Sequence, residues 1–265
     1  MDVFLAWVNN PLVQSAVISP LIGAILGGLF TGLNNAPPVA APATVQQTMI
    51  IFKQTIVVNQ GRASSHSSDD VWAYVIAVFI VMVAVIWGYS RYAHDILYYW
   101  SGGVLSGTAF ILAAGLTSAL RGQYSSVGWV WYIFTPLIAM GALFYLIQLA
   151  QAGIVSGARE AAFRYGIIDY YFDVLNDEQR VWILSQLSGV VMGVGATCVA
   201  TTRSLHYLAL MNQRATGSLS SFWFALARFT RFSAQAGGLV MLIMLFGAAY
   251  FMLAGNAYGL WMRQP

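Results

Sequence analysis

The sequence predicts an all-α polytopic membrane protein of about six transmembrane helices, with five as the alternative, plus one short extramembrane β strand or hairpin. Three observations predict it. First, 59% of the 265 residues are hydrophobic and only 8% are charged, whereas a soluble domain carries about 25% charged residues to cover its surface. Mean hydropathy is +0.69. Second, several uncharged stretches reach the roughly 20 residues that a helix needs to cross a bilayer core of about 30 Å. Third, Trp72, Trp87, Trp100, Trp129, Trp131 and Trp261 fall near the ends of those stretches, where amphipathic rings settle at headgroup level.

Residues 1–33 hold the first expected span, an uncharged helix over 11–33 carrying Pro20. Its Gly23, Gly27, Gly28 and Gly32 recur at helical spacing, and small residues so placed let two helix backbones approach closely in lipid. Residues 34–70 begin with a Pro/Ala linker (APPVAAPA), extended rather than helical. The β-branched, period-two run 45–60 follows, with Ile50, Phe52, Ile56 and Val58 on one face. Its other face is also largely apolar, and a lone strand is barely stable in water, so this segment is expected to seek a partner. A Ser-rich loop then leads to the core.

The core, 71–152, is expected to hold spans over 71–90, 101–120 and 128–150. The decapeptide RYAHDILYYW (91–100) is read as the short loop between the first two, with a local pair between Arg91 and Asp95. Residues 153–180 read as an extramembrane helix and turn. There Asp169 and Asp173 share a face if the helix persists, as a solvated turn or as a docking face for a basic partner. Asn176 or Asp177 is the expected N-cap of the next helix. That helix, 181–202, carries the small-residue ridge Ser185, Gly189, Gly193, Thr197 and Thr201, which serves either the chain's own bundle or contact between subunits. Cys198 within it is expected to pack as a small hydrophobe.

Residues 203–235 read as a basic loop followed by an interfacial helix, whose Arg228 and Arg231 stand among phenylalanines and reach lipid headgroup phosphates. Residues 236–265 hold the last span, over 236–260, and a tail. The N-terminus lacks the positive region of a secretory signal, although Val39-Ala40-Ala41 resembles a weak cleavage site. Topology follows from the loop charges. With six spans, Lys53, Arg62, Arg121, Arg203, Arg214, Arg228 and Arg231 face Arg91, Arg159, Arg164, Arg180 and Arg263 across the membrane, which leans toward both termini outside. Five spans reverse that lean.

Catalytic chemistry has no visible carrier. His66, His94 and His206 are scattered without metal-ligand spacing, and no GxSxG, HExxH or phosphate-binding glycine loop occurs. A net charge of +3 is too small for a nucleic-acid footprint. The six stretches counted as spans contain no ionisable Asp, Glu, Lys, Arg or His, which weakens an ion-coupled transporter. The expectation is a non-enzymatic, cofactor-free protein integral to a bacterial inner membrane. Its partners would be membrane lipids and either further copies of itself or a membrane complex. Within that class, a pore-forming or membrane-perturbing component of a conflict or secretion system is favoured. A small-solute transporter or permease subunit is the alternative, pointed to by Pro20 and Pro136 interrupting apolar segments.

Overall fold

The computed structural model describes residues 68–120, 127–212 and 220–261, together with Pro20, Leu21 and Ile25, which are helical. Among these residues the chain is all-α, and four helices are long and apolar enough to cross a membrane: within Tyr74–Leu120, Val130–Ala152, Asp177–Leu210 and Ala236–Leu253. The first expected span otherwise lies outside the described residues, with Gly23, Gly27, Gly28 and Gly32. So does the β segment, with Ile50, Phe52, Ile56 and Val58.

The first described helix, α1 (Ser68–Leu120), runs 53 residues without a break. This corrects the loop expected at 91–100. The decapeptide contains neither Gly nor Pro, so nothing in it stops a helix. Its charged side chains find partners without leaving the helix. Arg91 lies over the rings of Trp87 at 5.0 Å and Phe163 at 4.3 Å. Asp95 faces Arg159 at 3.9 Å, rather than pairing with Arg91. At 1.5 Å rise per residue α1 is about 80 Å long.

After residues 121–126, α2 (Val127–Ala152) runs through Pro136 uninterrupted. A helix in a membrane bundle tolerates the lost N–H because neighbouring groups satisfy the freed carbonyl. Gly157, in the left-handed region at φ 76°, turns the chain into the short α3 (Ala158–Arg164). One turn, α4 (Ile167–Asp169), then widens into a π-helical turn over Tyr170–Val174. Asp169 and Asp173 therefore lie on either side of a change in winding, and both are exposed.

Asn176 opens α5 (Asp177–Asn212) with a reciprocal capping box. The Gln179 backbone N–H donates to Asn176 Oδ1 at 2.7 Å, and the Asn176 N–H donates to Gln179 Oε1 at 3.2 Å. This settles the cap on Asn176 and starts the helix four residues before the expected span. It also carries the helix past Thr202 to Asn212, so the start of the expected basic loop is helix instead. Following residues 213–219, α6 (Ser220–Ala234) and α7 (Ala236–Leu253) are separated by a single break at Gln235. Then α7 stops at Leu253, short of the expected 260, because Gly255 takes a left-handed cap at φ 76°. The last described helix is α8 (Asn256–Trp261).

Helix α5 is the centre of the bundle, touching α1, α2, α6 and α7. The ridge residues explain how. Gly189 lies under Leu253 of α7, whose Cγ would stand 2.6 Å from an added Cβ. Gly193 lies against the indole of Trp100 on α1, where a Cβ would also collide. Ser185 Oγ donates to the Met252 carbonyl at 3.0 Å, and Trp100 Nε1 donates to Thr197 Oγ1 at 2.9 Å. The side of Gly107 on α1 faces Thr201. The ridge is therefore packed against two of the chain's own helices, with Thr197 and Thr201 half-buried. Cys198, one position on, points outward and is exposed, not packed as expected.

Candidate functional site: a buried arginine at a helix break

Together α6 and α7 run antiparallel along α5, with the break between them at the level of Arg203. Thr230 of α6 meets His206, Arg203 meets Ser233, and Ala249 and Leu253 of α7 lie against Gly189. Helix α6 buries Trp223, Ala227, Thr230 and Ser233 on one face, a period of three to four residues. Its opposite face exposes Phe222, Phe224, Phe229 and Phe232 along with Arg228 and Arg231. The helix thus runs beside α5 over its final third, with both arginines on its outer surface.

A helix end leaves carbonyls without partners, and at the end of α6 Arg203 supplies one. Its Nη1 donates to the Ser233 carbonyl at 3.0 Å, and its guanidinium lies 5.6 Å from the centre of the Tyr132 ring. A cation at a helix C-terminus is favoured by the macrodipole. The aromatic face adds a further attraction. Arg203 is only 2% exposed, none of the ion pairs among the described residues involves it, and its Nε has no hydrogen-bond partner there. Gly238 closes the break: a Cβ there would press on the Ser233 carbonyl itself. The node thus consists of a fixed positive charge, a helix terminus and a glycine without room for a methyl.

One turn further along α5, His206 Nδ1 lies 3.0 Å from Thr230 Oγ1. The Thr230 hydroxyl already donates to the Leu226 carbonyl at 2.7 Å. Its proton is spent, so Nδ1 must be the donor to it. Tyr132 stacks beside Tyr207, with ring centres 6.0 Å apart, and Tyr207 shares a 3.0 Å hydrogen bond with Ser118 of α1. Four helices are tied to one polar cluster at this level.

A second polar node lies where α1, the 153–158 turn and α5 meet, around a cavity of about 20 Å³ lined by residues that include Tyr89, Ser90, Gly153 and Gln186. Gln186 Nε2 donates to the Leu253 carbonyl at 3.2 Å, and Trp182 Nε1 donates to the Gly153 carbonyl at 2.7 Å. Tyr89 Oη and Gln186 Oε1 are buried without a partner among the described residues. Nearby, burial pushes the Tyr170 phenol above its ordinary value, and the neighbouring Ser90 hydroxyl offsets part of that.

Sequence reasoning placed Arg203 and His206 in a loop and missed both nodes. A signal was present. Nothing in 203–212 stops a helix, and Arg203 with His206 stand three apart on one helical face. Among the described residues no group of three or more His, Cys, Asp or Glu is placed to hold a metal ion. The arrangement holds a helix break rigid and sets one charge deep in the bundle. No protein-family model, no curated protein and no solved structure matches the chain.

Proposed function

We propose that the protein has no chemistry of its own and works by assembling in the membrane, with copies of itself or with other membrane proteins, as a pore-forming or membrane-perturbing component. The setting proposed is a bacterial inner membrane, in a conflict or secretion system. One observation carries the reading, the N-terminal half of α1 ahead of Val83, where burial begins. Tyr74, Val75, Ile76, Val78, Ile80 and Val81 are all more than half exposed and apolar on every side. This half is collinear with residues 101–120, which pack into the bundle and already match one bilayer thickness. A helix of about 80 Å cannot place both halves in a core of about 30 Å. An apolar surface left outside the core is costly in water and is covered by protein contact.

The test is the particle mass of the detergent-solubilised full chain, together with dye leakage from reconstituted vesicles. Ile76→Asn with Ile80→Asn should lower the mass and abolish leakage while residues 101–261 stay folded. Unchanged mass overturns the assembly reading.

A second reading, a small-solute transporter, is favoured by the α6/α7 break with its buried Arg203, because interrupted helices line the binding sites of many transporters. Gly238→Ala separates the two. Loss of solute uptake at unchanged mass supports the transporter, and a lowered mass with no uptake in the parent protein supports assembly.

A further inference from the structure

We propose that Arg91, Arg159 and Arg164 form a binding site for the phosphate of an anionic phospholipid headgroup, distinct from the exposed pair Arg228 and Arg231 on α6. The argument starts from position. Arg91 stands between the two apolar halves of α1, residues 71–90 and 101–120. With residues 71–90 in the bilayer the turn 91–95 abuts its edge, and with residues 101–120 there it stands about 9–15 Å beyond the apolar core, where long arginine side chains still reach the headgroups. Here α3 packs against α1, bringing Arg159 and Arg164 to the same edge. The two arginines, with Glu160 and Phe163, line an open groove of about 600 Å³.

Charge and geometry suit a phosphate. Three guanidiniums face two carboxylates, Asp95 and Glu160. The one ion pair among the described residues here, Arg159 with Asp95, is long at 3.9 Å and about half exposed. Neither Arg91 nor Arg164 has a carboxylate partner among the described residues. Arg91 is held by aromatic faces instead: Phe163 at 4.3 Å, Trp87 at 5.0 Å and Tyr92 at 5.5 Å. Its Nε is buried without a partner among the described residues. Arg159 approaches the same Phe163 ring at 5.9 Å. Guanidiniums that rest on rings keep their N–H groups for an acceptor, and their fork geometry matches phosphate oxygens. The rings place apolar surface beside the acyl chains, where Trp and Tyr are at home. A free phosphate shares the charge but would make no use of that apolar rim.

The experiment uses the full chain in nanodiscs of phosphatidylcholine alone or of equimolar phosphatidylcholine and phosphatidylglycerol, reading Tm and the number of retained phosphatidylglycerol molecules by native mass spectrometry. Phosphatidylglycerol should raise Tm for the parent protein. Arg159→Gln with Arg164→Gln should weaken lipid retention roughly fivefold per arginine removed. Arg228→Gln with Arg231→Gln should leave this retention unchanged. Asp95→Asn removes a competing carboxylate and should increase retention, a gain that misfolding cannot mimic. Equal losses from both arginine pairs would mean general surface attraction and overturn the site. Stabilisation by inorganic phosphate in phosphatidylcholine discs, equal to that from phosphatidylglycerol, would assign the groove to a free anion and overturn the lipid. Unchanged retention in both Arg159→Gln with Arg164→Gln and Asp95→Asn would overturn it outright.

Discussion

The two halves of α1 differ in a way that apolarity alone would reverse: residues 71–90 hold 18 hydrophobic residues and residues 101–120 only 11, yet the more apolar half is the one exposed over its first turns. Over 101–120, Val104 and Ile111 are fully buried; before Val83, where burial begins, Tyr74 is 75% exposed. The difference lies in shape. In lipid no hydrophobic force draws helices together, so association depends on how closely surfaces approach. Gly107 and Gly115 let α1 come within contact of Met140 and Ile133 of α2, at 2.9 and 3.1 Å from where a Cβ would stand. The N-terminal half is built of Val, Ile and Phe, and its Gly88 has nothing within 4 Å. Apolar composition puts a segment in reach of the membrane; small residues decide whether it packs there.

The comparison breaks most violently at the position that receives Trp100. Gly193→Leu would drive a side chain into that indole, and overpacking of this kind costs about 3 kcal/mol. The expected result is misfolded protein at every oligomeric state, read from folded yield and from denaturation in detergent. Intact, folded monomer would show that the packed half does not depend on the ridge.

Arg203→Met ranks next. It removes the charged donor to Ser233 and frees the end of α6, a loss of about 2 kcal/mol. A cysteine placed at Gln235 should then label faster, because the α6/α7 break opens. Unaltered labelling would mean that the break is held by Gly238 and packing alone.

Two of the tryptophans of α1, Trp87 and Trp100, make a finer contrast. Trp100 Nε1 donates to Thr197, whereas Trp87 Nε1 is buried with no partner among the described residues. Trp100→Phe should cost about 1 kcal/mol of stability, and Trp87→Phe should be close to neutral because its indole N–H gains nothing where it sits. Equal costs would place Trp87 in a contact that α1 does not make within this chain. The smallest effect is expected for Gly88→Leu. Open space around it and the better helix propensity of leucine should keep the change within about 0.5 kcal/mol. A large loss there would show that the exposed half is covered in the assembled protein.

Much of this was legible in the residues themselves. Apolarity and low charge fix the solvent, and with it the need for helices that satisfy their own backbone. The limits of α2 could be read to within two residues, because polar and small residues bound its apolar run. The cap at Asn176 could be narrowed to two candidates, since capping is a local hydrogen bond between residues three apart. Tertiary structure alone decided the rest. The partners that Arg91 and Asp95 find without leaving α1, Phe163 and Arg159, lie far along the chain. Burial of Arg203 depends on the terminus of α6 arriving beside it, and a charge that reads as a loop residue becomes the brace of a helix break. The ridge on α5 likewise shows only that something close will pack there. That Leu253 takes Gly189 and Trp100 takes Gly193 is set by how four helices share one centre, because periodicity records which side of a helix is small and never which neighbour will fill it.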